Sequence, residues 1–410
     1  SNAAGAYTAQ CQDVDEYMWN NSDFTILYSA GNAGKDLGAP LGVIDPMSMG
    51  APAASKNCIT VGASENNRPD TGNANPYGTM WPNDFPSEPI KSDPMSNNAG
   101  GMVAFSSRGP CMDGRYKPDI CAPGTNILST RSTQAPDQSF WTTHNAFYGY
   151  MGGTSMATPL VCGMTVLMRE YLVTRKGITS PPAALVKAMM LNGAKELNPG
   201  QHGTGAYREI TKNAPNDVEG WGRASLEGAL PKGNRNVLVN YRSPGIATAE
   251  QLDYQFRVLG NDLPVRLKMV WTDYPGNPAT NGGLVNDLDF DLVKPDSAVV
   301  TPLNPRSPGF IQYYSNNGEL NNFAQPSKMY DGYAVKFTPA VTPFSPIAVN
   351  FLCASAISGL SYMDVFILAD NGGFPGTILW QALAVPIDFQ AFNGQYYLAV
   401  CSVQPSGLNL

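Results

Sequence analysis

The stretch Gly152-Gly153-Thr154-Ser155-Met156-Ala157-Thr158-Pro159 places a glycine turn directly before a segment with apolar residues at helical spacing. The spacing predicts a buried helix over residues 155–172, which begins at Ser155. Pro159 is compatible with this helix, because first-turn N–H groups have no intrahelical partner. Small residues let another backbone approach closely, and the helix dipole would place positive charge beside the Ser155 hydroxyl. The pattern favours a nucleophilic serine, and its alternative is an ordinary serine N-cap.

A second glycine turn, which contains Asn32, follows an apolar, β-rich run at residues 24–30. We predict a buried strand there that stops at the tight turn of residues 31–34. Residues 65–100 are polar and rich in proline and asparagine, which predicts a long surface loop. Short apolar runs and helical spacing predict further elements, namely strands at 58–63, 102–105 and 127–130 and helices at 13–20 and 182–191.

After about residue 231, short runs alternate polar and apolar side chains, with turn signals between the runs. Such alternation predicts an antiparallel β-sandwich, of a jelly-roll-like kind, with a domain boundary near Gly233. We therefore predict an α/β fold with a partial parallel-sheet domain at residues 1–232, followed by the β-sandwich domain at residues 233–410. The runs that carry the second prediction are 254–258, 265–271, 288–292 and 362–368.

The glycine turn around Ser155 is similar to the nucleophile motif of the subtilisin-like serine proteases, the subtilases. Residues 28–34 resemble the oxyanion segment of that family, and residues 106–110 and 117–124 resemble the segments between the two motifs. The resemblance covers roughly residues 5–295.

The resemblance implies that residues 1–232 are the C-terminal portion of a subtilisin-like catalytic domain, in a serine endopeptidase that hydrolyses peptide bonds. Ser155 is then the nucleophile, and Asn32 donates a hydrogen bond to the developing oxyanion. The residues implied to bind substrate, of which the first three line one wall of the P1 pocket, are Ser29, Ala30, Gly31 and Thr154.

Within the family, the resemblance is closest to the alkaline-protease branch with an appended C-terminal β-domain, because residues 271–276 and 285–289 resemble strands of that domain. In the family, an Asp motif and a His motif precede the oxyanion segment, and this chain begins just upstream of that segment. We therefore expect both motifs on a missing N-terminal segment, and we expect this chain alone to be inactive.

Two short strings copy the missing motifs. Asp70 begins an Asp-Thr-Gly string in polar loop sequence, and His202 begins a His-Gly-Thr-Gly string in a glycine-rich linker. A triad Asp is expected at the end of a buried strand, so the two strings would serve only in a circularly permuted triad. His144, the only other histidine, is interpreted as a structural loop residue.

The implied chemistry requires no cofactor. Four aspartates offer oxygen ligands of the kind that calcium prefers, and the related β-domains carry calcium, so a structural calcium ion is one expectation. The other is that these aspartates lie on the exposed face of an alternating strand. The four are Asp273, Asp287, Asp289 and Asp291.

Composition limits the partners. A net charge of −7 without any Lys/Arg run argues against a nucleic-acid partner, and no apolar run is long enough to span a membrane. The 41 Gly and 34 Pro residues give a loop-rich composition typical of secreted hydrolases, so we expect a secreted or extracellular protein. The seven cysteines show no zinc-ligand spacing, and Cys353 with Cys401 would form a disulfide in an oxidising compartment. The expected partners are a peptide or protein substrate and the chain's own N-terminal segment.

Two other functions are open at this stage. A subtilase framework without its base would serve as a non-catalytic binding or scaffold protein. The β-sandwich would bind carbohydrate or protein, for which Tyr313 and Tyr314 are candidate exposed aromatic residues.

Overall fold

The computed structural model separates the chain into two compact units, Ser1–Pro308 and Gly309–Leu410. The predicted boundary near Gly233 lies inside the first unit, so the division into residues 1–232 and 233–410 stays a prediction. The structure describes residues 4–134, 141–233, 237–243, 245–247, 250–256, 265–280, 282, 284–293, 299–300, 349–355, 359–371, 374–391 and 397–403.

Helices and strands are mixed along the first unit. Its helices are α1 (Ala9–Asn20), α2 (Tyr77–Met80), α3 (Thr154–Lys176), α4 (Ala183–Gly193) and α5 (Leu226–Ala229), with 3₁₀ turns at Ile90–Ser92 and Pro278–Thr280. Its strands are β1 (Leu27–Ser29), β2 (Ile59–Ser64), β3 (Ile120–Pro123), β4 (Ile127–Thr130), β5 (Thr142–Thr143), β6 (Tyr148–Met151), β7 (Leu292–Val293) and β8 (Val299–Val300). The three predicted helices and the strands predicted at 58–63 and 127–130 are confirmed within a few residues, and the strand predicted at 24–30 is present as β1 but is half-buried rather than buried.

The core of the first unit is a parallel sheet with the strand order β1-β2-β3. All six residues of β2 are buried, as expected for a central parallel strand that is covered on both faces. Helix α3 lies against all three strands and ends at Gly177, whose left-handed φ of 70° suits glycine. Its buried residues form one stripe, since they follow each other at intervals of three or four: Ala157, Val161, Thr165, Met168 and Leu172.

The strand predicted at residues 102–105 is wrong. Met102 forms a single bridge to Ser64, and the backbone then turns, with Ser106 N–H donating to the Val103 carbonyl at 3.0 Å. The side chains of residues 102–105 are apolar because this turn is buried. Its backbone does not pair with a neighbouring strand along its length. The third strand of the sheet is β3, which the sequence analysis missed because prolines lie at and near its ends.

The surface loop predicted at residues 65–100 is confirmed only in part, because its mostly irregular and solvent-accessible backbone also sends side chains into the core. This segment contains α2 and a 3₁₀ turn, and Tyr77, its most deeply packed ring, is fully buried. The Tyr77 hydroxyl donates to Glu65 Oε1 at 2.6 Å, and the Asn97 and Asn98 N–H groups donate to Oε2 at 3.2 and 3.3 Å. Burial raises the pKa of Glu65 to about 8. The apolar residues are scattered among prolines and asparagines, so no periodicity revealed their burial.

A buried ion cluster lies beneath the sheet. Asp119 accepts from Lys117 Nζ at 2.6 Å and from Lys187 Nζ at 2.9 Å, and the Thr60 N–H donates to the same carboxylate at 2.7 Å. Burial alone would raise the pKa of Asp119, but the two ammonium groups hold it below its usual value. The cluster therefore joins β2 and α4, which carry Thr60 and Lys187, to Asp119, the residue that immediately precedes β3.

The second unit is described through four strands, β9 (Val349–Ser355), β10 (Gly359–Asn371), β11 (Phe374–Ala391) and β12 (Tyr397–Val403). They form one antiparallel sheet in the order β10-β11-β12-β9, and the strand predicted at 362–368 is confirmed within β10. The β-sandwich stays a prediction. The strand register aligns Cys353 with Ala399 and Cys401 with Phe351, and the disulfide stays a prediction. Tyr313 and Tyr314 lie outside the described residues.

The strands predicted at 254–258 and 265–271 are wrong wherever the structure describes them, and the strand predicted at 288–292 is found only at its last residue. Residues 254–256, 265–271 and 288–291 are irregular, and a short strand begins only at Leu292. Alternation fixes which side chains share a face, but a strand also needs a neighbour to complete its ladder of hydrogen bonds. Residues 257–258 lie outside the described part of the chain.

We predict that Asp119→Asn lowers the free energy of unfolding by about 3–5 kcal/mol, because it leaves two buried lysines without their counter-charge. Urea unfolding measures the change. Glu227→Gln is the matched control, since this exposed carboxylate also binds two lysines, Lys195 and Lys232, and should have little effect. Equal losses in the two variants would contradict the prediction.

A second prediction concerns Glu65 and pH. Its pKa is about 8 when folded and 4.5 in its ordinary state, so the folded protein holds a proton that the unfolded chain releases between these values. The stability that this proton supplies is full below pH 4.5 and is lost as the pH rises through 8. The advantage of the wild type over Glu65→Gln in urea unfolding should therefore shrink from pH 5 to pH 8. A constant difference would contradict this. Exposed Glu170→Gln should leave the pH dependence unchanged.

Candidate active site

The turn before Ser155 is attached to the carboxyl ends of the parallel strands. Gly153 N–H donates to the Gly124 carbonyl at 2.7 Å, and Gly124 N–H donates to the carbonyl of Ser64, the last residue of β2, at 2.9 Å. Gly153 caps α3 with a φ of 143°, a value that side-chain-bearing residues rarely adopt. Strand ends and the start of a helix therefore meet at one edge of the sheet, where α/β folds commonly bind ligands.

Asn32 reaches the same edge from β1. Because β1 runs parallel to β2, its last residue, Ser29, pairs with Val61 and the chain continues toward the same edge as Ser64, with a turn at Gly31, whose φ is 103°. The Asn32 Oδ1 atom accepts from the Thr154 N–H at 3.0 Å and from the Thr154 hydroxyl at 2.9 Å. Gly31 N–H in turn donates to the Thr154 hydroxyl at 3.2 Å, across 123 residues of sequence.

These bonds determine which end of the Asn32 amide is available. With Oδ1 held by Thr154, Nδ2 is directed toward the nucleophile turn, where a Cβ on Gly153 would lie 3.3 Å from it. Ser155, the second residue of α3, is exposed, and its N–H has no hydrogen-bond partner among the described residues. One oxygen atom placed between Asn32 Nδ2 and the Ser155 N–H would receive two hydrogen bonds.

The other implied substrate residues differ in exposure. Ser29 is half-buried at the end of β1, whereas the Ala30 side chain packs in the core and Thr154 is fully buried against Asn32. Gly31 lies against Ser107, whose N–H donates to the Gly31 carbonyl at 2.9 Å. Roles for these residues in substrate binding stay predictions.

Neither copied string contributes to this edge in the structure. Asp70 is exposed, and His202 faces Asp93, with Nε2 3.9 Å from Oδ2. Burial lowers the pKa of His202, against the attraction of Asp93. His144 packs edge-on against the ring of Tyr150. In the part of the chain that the structure describes, no histidine or carboxylate forms a hydrogen bond with Ser155.

The four aspartates considered for calcium are not gathered into one group. The Asp273 carboxylate accepts from Lys56 Nζ at 2.6 Å, from Val285 N–H at 3.0 Å and from Asn286 N–H at 2.8 Å. The other three alternate with half-buried residues on an exposed face. Across the described ranges, no three His, Cys, Asp or Glu side chains are placed to share a metal ion, and a structural calcium ion stays a prediction. Likewise, no described helix is both long and apolar enough to cross a bilayer.

Sequence reasoning missed Trp141, whose indole lies directly on Gly152. A Cβ on Gly152 would overlap the six-membered ring of that indole. The signal was the doubled glycine before Thr154, which we had interpreted only as room for a substrate backbone.

We predict that Thr154→Val lowers the free energy of unfolding by about 1–3 kcal/mol. The change keeps the side-chain shape but leaves Gly31 N–H and Asn32 Oδ1 without their hydroxyl partner in a buried position. Thr154→Ser, which retains the hydroxyl, is the control and should lose less. Guanidinium unfolding measures both, and a Val variant as stable as the wild type would show that these bonds do not hold the site together.

Comparisons with known proteins agree with this geometry. The Subtilase family model matches residues 1–222. The serine protease/ABC transporter B family protein tagD of Dictyostelium discoideum is 26% identical over 406 residues, covering 77% of this chain and 21% of the relative. Serine protease AprX of Bacillus subtilis is 30% identical over 210 residues, covering 50% of this chain and 37% of the relative. Minor extracellular protease Vpr of Bacillus subtilis is 46% identical over 78 residues, covering 18% of this chain and 9% of the relative.

The chain spans about a fifth of the length of tagD and the two similar Dictyostelium proteins, tagB and tagA. The family match nevertheless extends over more than half of the 410 residues and includes both glycine turns. With the parallel sheet and the meeting of Asn32 with the start of α3, it establishes that this chain belongs to the subtilase family.

Proposed function

We propose that this chain forms the C-terminal part of the catalytic domain of a subtilisin-like serine endopeptidase, with Ser155 as the nucleophile and Asn32 as the oxyanion donor. The observation that carries the proposal is the pair of hydrogen bonds from Thr154 to Asn32 Oδ1, because they leave Nδ2 as a donor beside Ser155. The substrate is a peptide or protein, and the reaction is hydrolysis of a peptide bond.

In this mechanism the Ser155 Oγ attacks the carbonyl carbon while its proton passes to a histidine base. The carbonyl oxygen becomes an oxyanion that accepts from Asn32 Nδ2 and from the Ser155 N–H, which strengthens both bonds as charge develops. The C–N bond then breaks, and the protonated base delivers its proton to the leaving amine. A water molecule then attacks the acyl ester while the histidine takes its proton. The bond to Ser155 Oγ breaks, and the histidine returns the proton to Oγ. No cofactor takes part.

We infer that the histidine and its orienting aspartate belong to a segment N-terminal to these 410 residues. Two features of the first unit support a docked segment. Strand β1 is an edge strand whose three residues are only half-buried. Helix α3 exposes a row of large apolar side chains on the face away from its buried stripe: Leu160, Val166, Leu167 and Val173. A segment that adds a strand beside β1 and covers this row would complete the sheet.

The name of Vpr, an extracellular protease, supports a secreted protein, and we include secretion in the proposal. A non-catalytic scaffold is the competing function, and the similarity of residues 1–222 to a family of serine proteases does not favour it.

The protein that carries the N-terminal Asp and His motifs should label with a fluorophosphonate probe at Ser155, whereas residues 1–410 alone should not. Ser155→Ala should abolish the labelling, and Ser129→Ala, which changes an exposed serine on β4, should retain it. Peptide mapping by mass spectrometry locates the modified residue. Absence of labelling in the longer protein would favour the scaffold function.

In that longer protein, Asn32→Ala should lower kcat by about a hundredfold to a thousandfold with little change in KM, since the lost bond is strongest in the transition state. Steady-state kinetics on one peptide substrate measures both constants. An unchanged kcat would exclude Asn32 as the oxyanion donor.

A further inference from the structure

Trp141 stands at the border of the proposed active site. Its indole lies so close to Gly152 that no larger residue fits there, and Gly152 is three residues before Ser155. Three residues span at most about 11 Å, and a peptide in extended conformation advances about 3.3 Å per residue. The indole is therefore within reach of a substrate side chain that is one to three residues from the scissile bond.

Trp141 belongs to an aromatic cluster formed by Tyr77, Trp81, Phe85, Phe105 and Trp141. The Trp141 ring centroid is 6.4 Å from that of Trp81 and 6.2 Å from that of Phe105. Trp81 and Phe105 are in edge contact at 5.5 Å. Tyr77, Phe85 and Phe105 are buried, whereas the two tryptophans are half-buried. The solvent-accessible part of the cluster thus consists of two indole rings, which suit an apolar ligand.

The cluster lies on one particular side of Asn32. The loop 31–34 pairs with the turn 105–107, in which Gly31 meets Ser107 and Gly34 N–H donates to the Phe105 carbonyl at 2.9 Å. Phe105, and with it the cluster, is consequently at the Gly34 end of the loop. The predicted P1 wall, in contrast, ends at Gly31, on the other side of the oxyanion donor.

We propose that Trp141, together with Trp81, forms a subsite for an apolar side chain on the leaving-group side of the scissile bond. This inference rests on the proposed function, since it assumes that a peptide is cut at Ser155. Trp141 is then a specificity-determining residue, and the favoured substrates are peptides with a large aliphatic or aromatic residue just after the cleaved bond. Burying such a side chain against an indole changes kcat/KM by about tenfold to a hundredfold.

The test uses the full-length protein and internally quenched peptides that share one residue before the cleavage site. In each peptide the two residues after the cleavage site are identical, and they are Leu, Phe, Gly or Asp. Mass spectrometry verifies where each peptide is cut. Trp141→Ala should lower kcat/KM for the Leu and Phe peptides by about tenfold to a hundredfold and leave the Gly peptides nearly unchanged. Trp141→Phe should restore part of the preference. Phe147→Ala, which changes an exposed aromatic residue in the same hairpin, is the control and should keep the wild-type profile.

Each other outcome overturns the inference. An unchanged preference in Trp141→Ala removes the subsite, and an equal loss for all peptides assigns Trp141 a structural role. Failure of the proposed function is distinguishable, because Ser155→Ala would then still cleave or the wild type would not. In that event, binding of the Leu and Gly peptides to the Ser155→Ala protein is compared by calorimetry, and equal or absent binding overturns the subsite as well.

Discussion

The two hydrogen bonds from Thr154 to the Asn32 side-chain oxygen are the interaction on which the proposed site depends. They connect the end of an edge strand to the start of the central helix, and they decide that the amide presents its nitrogen to the nucleophile turn. Both chain segments must turn sharply to meet, and each does so at a glycine with positive φ, Gly31 and Gly153. A side chain at either position would strain the turn, so the glycines are requirements of this one contact.

The two turns of the candidate site were recognisable from the sequence because each has a local signal. A glycine turn before an apolar helical pattern drew attention to Ser155, and the resemblance of residues 28–34 to the subtilase oxyanion segment drew attention to Asn32. That the two meet follows from topology, since parallel strands bring their carboxyl ends to one edge. What the sequence did not reveal is that Thr154 supports Asn32, because this depends on the direction of one buried hydroxyl.

The rest of the fold was harder to predict because its burial is tertiary. In residues 65–100, single apolar side chains separated by polar residues reach the core from irregular backbone. The segment therefore shows neither the apolar spacing of a helix nor that of a strand. Residues 265–271 show the opposite error, since clear alternation occurs there without a neighbouring strand in the described part of the chain. Alternation within one segment indicates a preference for strand conformation, but the neighbouring strand that it must pair with lies elsewhere in the sequence.

Buried carboxylates explain how such irregular backbone is held in place. In each of three cases a buried acid accepts two backbone N–H groups from other parts of the chain: Asp15 from Lys56 and Asn57, Glu209 from Met102 and Gln201, and Asp273 from Val285 and Asn286. An N–H group in a buried loop has no ladder partner, and a carboxylate offers several acceptor sites at once. The cost of burying the charge is offset where a cation is also bound, as with Lys56 at Asp273. Only 14% of the residues are charged. The buried carboxylates among them nevertheless bind backbone N–H groups in loops that do not pair along a neighbouring strand.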